Sequence, residues 1–97
     1  IDYPERALEL EIVRLKLPRL KDRLARRLID TVRNIRSLDL KKKPCISETL
    51  DWAQSLIALQ IEELSPEIVA DTLNVICKYK ADVDQVIEKM DKVMEMP

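Results

Sequence analysis

Between Leu20 and Leu38 the apolar side chains recur at Leu20, Leu24, Leu28, Val32, Ile35 and Leu38, a spacing that puts one stripe on a helix. Arg23, Arg26, Arg27, Asp30 and Arg33 fall on the other side, and Asp22 precedes Arg26 by four residues in the order that favours an ion pair. The pattern predicts an amphipathic helix from Lys21 to about Leu38. A second pattern follows Pro44. Ile46, Leu50, Ala53 and Ile57 form one stripe and Trp52, Leu56 and Leu59 another beside it, leaving Asp51, Gln54, Ser55 and Ala58 for the far side. So broad an apolar face suits the central helix of a bundle, with Trp52 in the core. Ser47 is read as its N-cap, Glu48 and Asp51 lie in its first turn, where the helix dipole favours negative charge, and its end is expected between Gln60 and Glu63.

Three further helices complete the pattern. Asp2-Tyr3-Pro4-Glu5 is a start signal, with Asp2 as cap and Pro4 near the first helical position, and Pro18 stops the helix at about Leu17. Its apolar residues form two stripes, Leu10, Val13 and Leu17 against Leu8, Ile12 and Leu15, as for a helix with two neighbours; one of those neighbours is expected to lie outside the chain. Ser65-Pro66-Glu67 opens a helix with Ile68, Val69, Thr72, Val75, Ile76 and Tyr79 inward. Asp82 with Gln85 has the spacing of a capping box, ahead of a last helix that faces the core with Val83, Val86, Ile87, Met90, Val93 and Met94. No segment alternates as a strand does. An all-α compact bundle of about five helices in a single domain, residues 1–97, is the expected fold.

Composition narrows the chemistry. The 97 residues include no glycine, which argues against tight β-hairpins and against a phosphate-cradling loop, and no histidine, the commonest general base and metal ligand. No catalytic residue and no metal set can be named. Cys45 and Cys77, far apart and outside any CxxC, fit two plain thiols of a reduced cytoplasmic protein. No apolar run approaches a membrane span and no secretory signal is present. Because the chain begins with Ile1 rather than Met, it is expected to be part of something longer.

Charge divides the chain. From Arg14 to Lys43 twelve bases face three acids, a net +9, and from Pro44 onward four bases face eleven acids, a net −7. The stripe Arg19, Lys21, Arg23, Arg26, Arg27, Arg33 and Arg36 raises the possibility of a nucleic-acid-binding module. No aromatic residue interleaves it for base stacking, so nucleic acid is not the expected partner.

Taken in order, the segments are similar to a known family. Ile1-Asp2-Tyr3-Pro4, then Glu9-Leu10-Glu11-Ile12-Val13-Arg14 and Pro18, resembles the opening of the C-terminal helical lid of MoxR-type AAA+ ATPases, where a Tyr-Pro marks the exit from the ATPase core. Lys43-Pro44, Ser47-Glu48-Thr49-Leu50-Asp51-Trp52-Ala53 with Leu56, and Leu73 through Lys78-Tyr79-Lys80 look like later blocks of one MoxR-like branch, so the resemblance spans nearly the whole chain. It implies an N-terminal core carrying the phosphate-binding loop, ATP and Mg²⁺, with this domain closing over the nucleotide and contacting neighbouring subunits of a ring. It implies service in chaperone-like remodelling or metal-cofactor insertion in a client protein, and no ATPase activity or cofactor in this stretch by itself.

In many such lids a sensor-2 arginine sits in the first turn of the helix that here starts near Ser47, and no arginine stands there. The resemblance therefore leaves Ser47 and Lys43 as the nucleotide-facing candidates, acting through the helix N-terminus, the lysine charge or the rigid-body position of the bundle. The plainer readings are a helix cap for Ser47 and a solvated connector for Lys41 to Lys43. A free-standing helical adaptor, docking a partner through the two-striped first helix, is the third possibility.

Overall fold

The computed structural model describes residues 3–96 as an all-helical bundle, and the caps expected of Asp2 lie outside that range. The helices are α1 (Arg6–Lys16), α2 (Asp22–Arg36), α3 (Ile46–Ala58), α4 (Pro66–Thr72), α5 (Lys80–Glu88) and α6 (Met90–Val93), with a 3₁₀ turn over Leu73–Val75. Six helices replace the expected five because the last one breaks at Lys89, whose φ of −101° and ψ of 27° leave the helical basin. Among the described residues there is no strand.

The predicted stripe of α2 is buried throughout: Leu20, Leu24, Leu28, Val32, Ile35 and Leu38 all belong to the core, joined by Ala25 and Ile29. Burying the seven large aliphatic side chains among them is worth on the order of 1.5–3 kcal/mol each before conformational entropy is set against it. This helix, rather than α3, is the centre of the bundle, in contact with α1, α3 and α6. The reason lies in its charges. Asp30, on what the pattern makes its outer side, and Arg36 near its end are themselves buried against partners, so the second half of α2 can be covered on nearly every side. On α3 only Thr49, Trp52, Ala53 and Leu56 are fully buried, and Leu59 is exposed.

Trp52 is wholly buried, and its indole Nε1 donates to Thr72 Oγ1 at 2.7 Å, while Thr72 Oγ1 donates to the Ile68 carbonyl at 2.7 Å. The ring therefore fills the core and keeps its polar edge satisfied. Ser65 caps α4 as its position before Pro66 predicts, accepting from the Ile68 N–H at 3.2 Å. Beyond α4 the expected face fails at Tyr79, which is exposed at the start of α5. Ile87 is exposed too, and Met90 and Met94 pack against the core at its margin.

Two helix ends depart from expectation. The N-cap of α3 is Cys45, so Ser47 is the second residue of the helix and caps nothing. The end of α3 is a Schellman motif: Ile61 N–H donates to Leu56 O and Gln60 N–H to Ile57 O, both at 3.0 Å, with Gln60 at a φ of 58°. Glycine normally takes that left-handed position. In a chain without glycine a glutamine holds it, which is why α3 stops at Ala58, earlier than its apolar pattern suggests.

Candidate functional site

Lys43 and Ser47 both lie on the surface, Lys43 in the connector and Ser47 in the first turn of α3. What surrounds them is acidic as well as basic. Glu48, third in the helix, accepts a hydrogen bond from the Cys45 thiol at 2.8 Å and lies 3.8 Å from Lys42 Nζ. The thiol hydrogen bond holds the Glu48 carboxyl below the usual glutamate value against an opposing desolvation, with backbone amides and Lys42 assisting. The positive end of the α3 dipole therefore already has an anion of its own. An incoming phosphate would meet Lys43 beside an occupied helix terminus.

The connector is fixed from the other side. Asp82 was expected to cap the last helix with Gln85; instead Tyr79 is the N-cap of α5, and the Asp82 carboxylate, 2% exposed, accepts from the backbone N–H groups of Lys41 (2.8 Å) and Lys42 (3.1 Å). Its helix position points it at the connector, whose amides have no secondary structure to satisfy them. Lys41 Nζ lies 5.7 Å from the centre of the Tyr79 ring. The backbone that presents Lys43 is thus held in place by α5, while the lysine itself is free in water.

Beneath the connector lies a charge cluster that the sequence pattern did not reveal. Glu9 is completely buried; its Oε1 accepts from Arg36 Nη1 at 2.8 Å and from Arg33 Nη1 at 2.9 Å. Arg36 Nη2 and Glu9 Oε2 face each other at 2.7 Å as an ion pair without a formal hydrogen bond to either atom. Arg36 Nε donates to the Pro44 carbonyl at 2.7 Å, and the Tyr3 ring lies 4.2 Å from its guanidinium carbon. Arg33 Nη1 also donates to the Pro4 carbonyl at 3.2 Å. One guanidinium therefore joins the leading segment, α1, α2 and the connector. The two arginines are three residues apart on α2 and Glu9 sits between Leu8 and Leu10, but nothing in one sequence pairs them.

Three other members of the basic stripe meet carboxylates as well, all of them in solvent. Arg26 binds Asp22 at 2.7 Å, Lys21 reaches Glu62 at 3.0 Å and Arg23 lies 3.6 Å from Glu63. Arg14 also binds Asp22, and the Arg26 and Arg14 hydrogen bonds hold that carboxyl below its ordinary value. Arg6 binds Asp30 at 2.5 Å, and that hydrogen bond raises the guanidinium above its usual pKa.

Among the described residues no group of histidine, cysteine and carboxylate side chains has the arrangement of a metal site, and no helix is long and apolar enough to cross a membrane. Cys45 and Cys77 are free; burial and, secondarily, Asp82 push the Cys77 thiol up to about 11. Comparison of the chain with known protein families, with curated proteins and with solved structures gives no match in any of the three.

Proposed function

We propose that this chain is the C-terminal lid of a cytoplasmic MoxR-like AAA+ ATPase, a domain without catalysis of its own that couples ATP binding and hydrolysis in an N-terminal core to remodelling of a client protein. The observation that carries the reading is the ordered set of blocks from Tyr3-Pro4 to Lys78-Tyr79-Lys80. The surface of α1 supports it. Leu8 and Leu15, seven residues apart and 50% and 75% exposed, leave the second apolar stripe of that helix without a neighbour in the bundle. A core domain joined just upstream would cover it.

In this reading Lys43 supplies positive charge toward the nucleotide, and Ser47 contributes at most its hydroxyl beside a helix end that Glu48 already occupies. Coupling then runs through the position of the whole bundle rather than through one charged sensor. The nucleic-acid reading is weaker, because Arg33 and Arg36 are committed to the buried Glu9 and no aromatic residue interleaves the basic stripe for base stacking.

The test is the native protein's sequence upstream of Ile1, together with nucleotide turnover. The expected result is a strand followed by Gly-x-x-x-x-Gly-Lys-Ser/Thr in the upstream region, ATP hydrolysis by the complete protein, and none by residues 1–97 alone. An upstream region lacking that loop, or turnover by the pure 97-residue chain, overturns the proposal.

A further inference from the structure

A cleft of about 490 Å³ opens between α2, the loop 59–65 and the chain near Met96. Its wall on α2 carries Arg23, Arg26, Arg27 and Asp30, the last already held by Arg6; Leu24 and Leu64 line it but are nearly buried, and Met96, 67% exposed, is its open apolar side chain. The hydrogen-bond inventory of the arginines separates them. Arg27 is occupied by the Met94 carbonyl at 2.8 Å and by Met96 Sδ. Arg26 uses Nε on Asp22, leaving its two Nη groups without a hydrogen bond among the described residues. Arg23 reaches Glu63 only at 3.6 Å, beyond hydrogen-bond length, with its side chain 88% exposed. A guanidinium has five N–H donors in a planar fork suited to carboxylates, so Arg23 and Arg26 bring unused capacity to the rim of a partly apolar cleft.

The chain itself shows what this face accepts. Glu62-Glu63-Leu64 lies across it, the two carboxylates toward Lys21 and Arg23 and the Leu64 side chain buried in the core. Both glutamates remain largely in water, and solvent-screened pairs of this kind exchange readily.

We infer that the cleft is a docking site for an acidic peptide segment of a partner protein, an acidic pair beside an apolar residue, and that Glu62 and Glu63 act as an internal competitor for it. The partner's carboxylates bind Arg23 and Arg26, its apolar side chain packs on the exposed Met96, and Glu63 gives up its loose contact with Arg23. This site stands apart from Lys43 and Ser47 and holds whether or not the lid reading does.

Fluorescence anisotropy with a dye-labelled leucine-glutamate-glutamate-leucine peptide, at two salt concentrations, tests the inference. The expected results are saturable binding that weakens with salt and at least about tenfold weaker binding of the glutamine counterpart. A comparable loss is expected in the Arg23→Ala/Arg26→Ala double variant, with unchanged far-UV circular dichroism. Glu62→Gln/Glu63→Gln binds several-fold tighter, whereas Glu67→Gln/Asp71→Asn, which removes two charges outside the cleft, leaves affinity unchanged. Equal binding of the glutamine peptide, indifference to the arginine substitutions, or the same gain from both glutamine-type variants overturns it. So does uptake of dodecanoate with none of the peptide, which would make the cleft a lipid site, or peptide-insensitive self-association in sedimentation, which would make the occupant a second copy.

Discussion

Along α2, Arg23 and Arg26 near the start meet their carboxylates in water, whereas Arg33 and Arg36 near the end meet Glu9 where water is scarce. The residue types are the same and the spacing on the helix is the same. What differs is the cost of separation. An exposed pair that opens is rehydrated on both sides, so its partners are exchangeable; a buried pair that opens leaves a charge in a low-dielectric interior. The first half of α2 is therefore suited to recognition and the second half to fixing geometry.

Removing one partner from each half should break the symmetry most sharply. Glu9→Ala leaves Arg36 buried without its anion and is expected to cost about 3–5 kcal/mol in urea denaturation. Asp22→Asn, in the exposed half, should leave the midpoint within error of the parent. Equal losses in both would show that burial does not separate the two ends.

A neutral version of the same contrast is expected to be smaller. Thr72→Val removes the acceptor of the buried Trp52 N–H and should cost roughly 1–3 kcal/mol, while Ser55→Ala, which loses an exposed hydrogen bond to the Asp51 carbonyl, should be nearly silent. The two thiols carry the contrast into pH. Cys77 is raised by burial to about 11, so the folded form holds its proton more tightly than the unfolded chain. Its contribution is complete below the ordinary thiol pKa and is lost as pH rises toward 11. Denaturation midpoints should fall over that window, less so in Cys77→Ala relative to its own value at neutral pH, and iodoacetamide should label the half-buried Cys45 before Cys77. Glu48 acts at the opposite end: its lowered carboxyl stabilises the fold above the usual glutamate pKa, and this is lost as pH falls through the folded value.

A modest gain is expected just past the end of α3. Gln60 is the non-glycine residue that holds positive φ at the end of α3, and Gln60→Gly should raise stability by about 1 kcal/mol as the steric cost of the left-handed conformation is relieved. A loss would mean that the glutamine side chain contributes more than its backbone costs.

Much of this architecture could be read from apolar spacing. The α2 stripe and the Ser65-Pro66 start are local signals, each set by residues within a turn or two, and both reappear in the structure. Side-chain chemistry favours Ser47 as the cap of α3, whereas the helix starts two residues earlier, with Cys45 as an extended N-cap that makes no side-chain cap hydrogen bond. Asp82 shows the same limit: its spacing to Gln85 describes a local cap, but the Lys41 and Lys42 amides are about 40 residues away and have more need of an acceptor. Glu9 was legible only as an acid in an apolar neighbourhood, since its partners are 24 and 27 residues downstream.

Arg36 touches the Tyr3 ring, the Glu9 carboxylate and the Pro44 carbonyl at once. A single side chain that ties three segments makes their opening one event. Native-state hydrogen exchange should accordingly find the middle of α1, the last turn of α2 and the amides of Lys41 and Lys42 released together at one free energy, while the ends of α5 and α6 exchange earlier and separately.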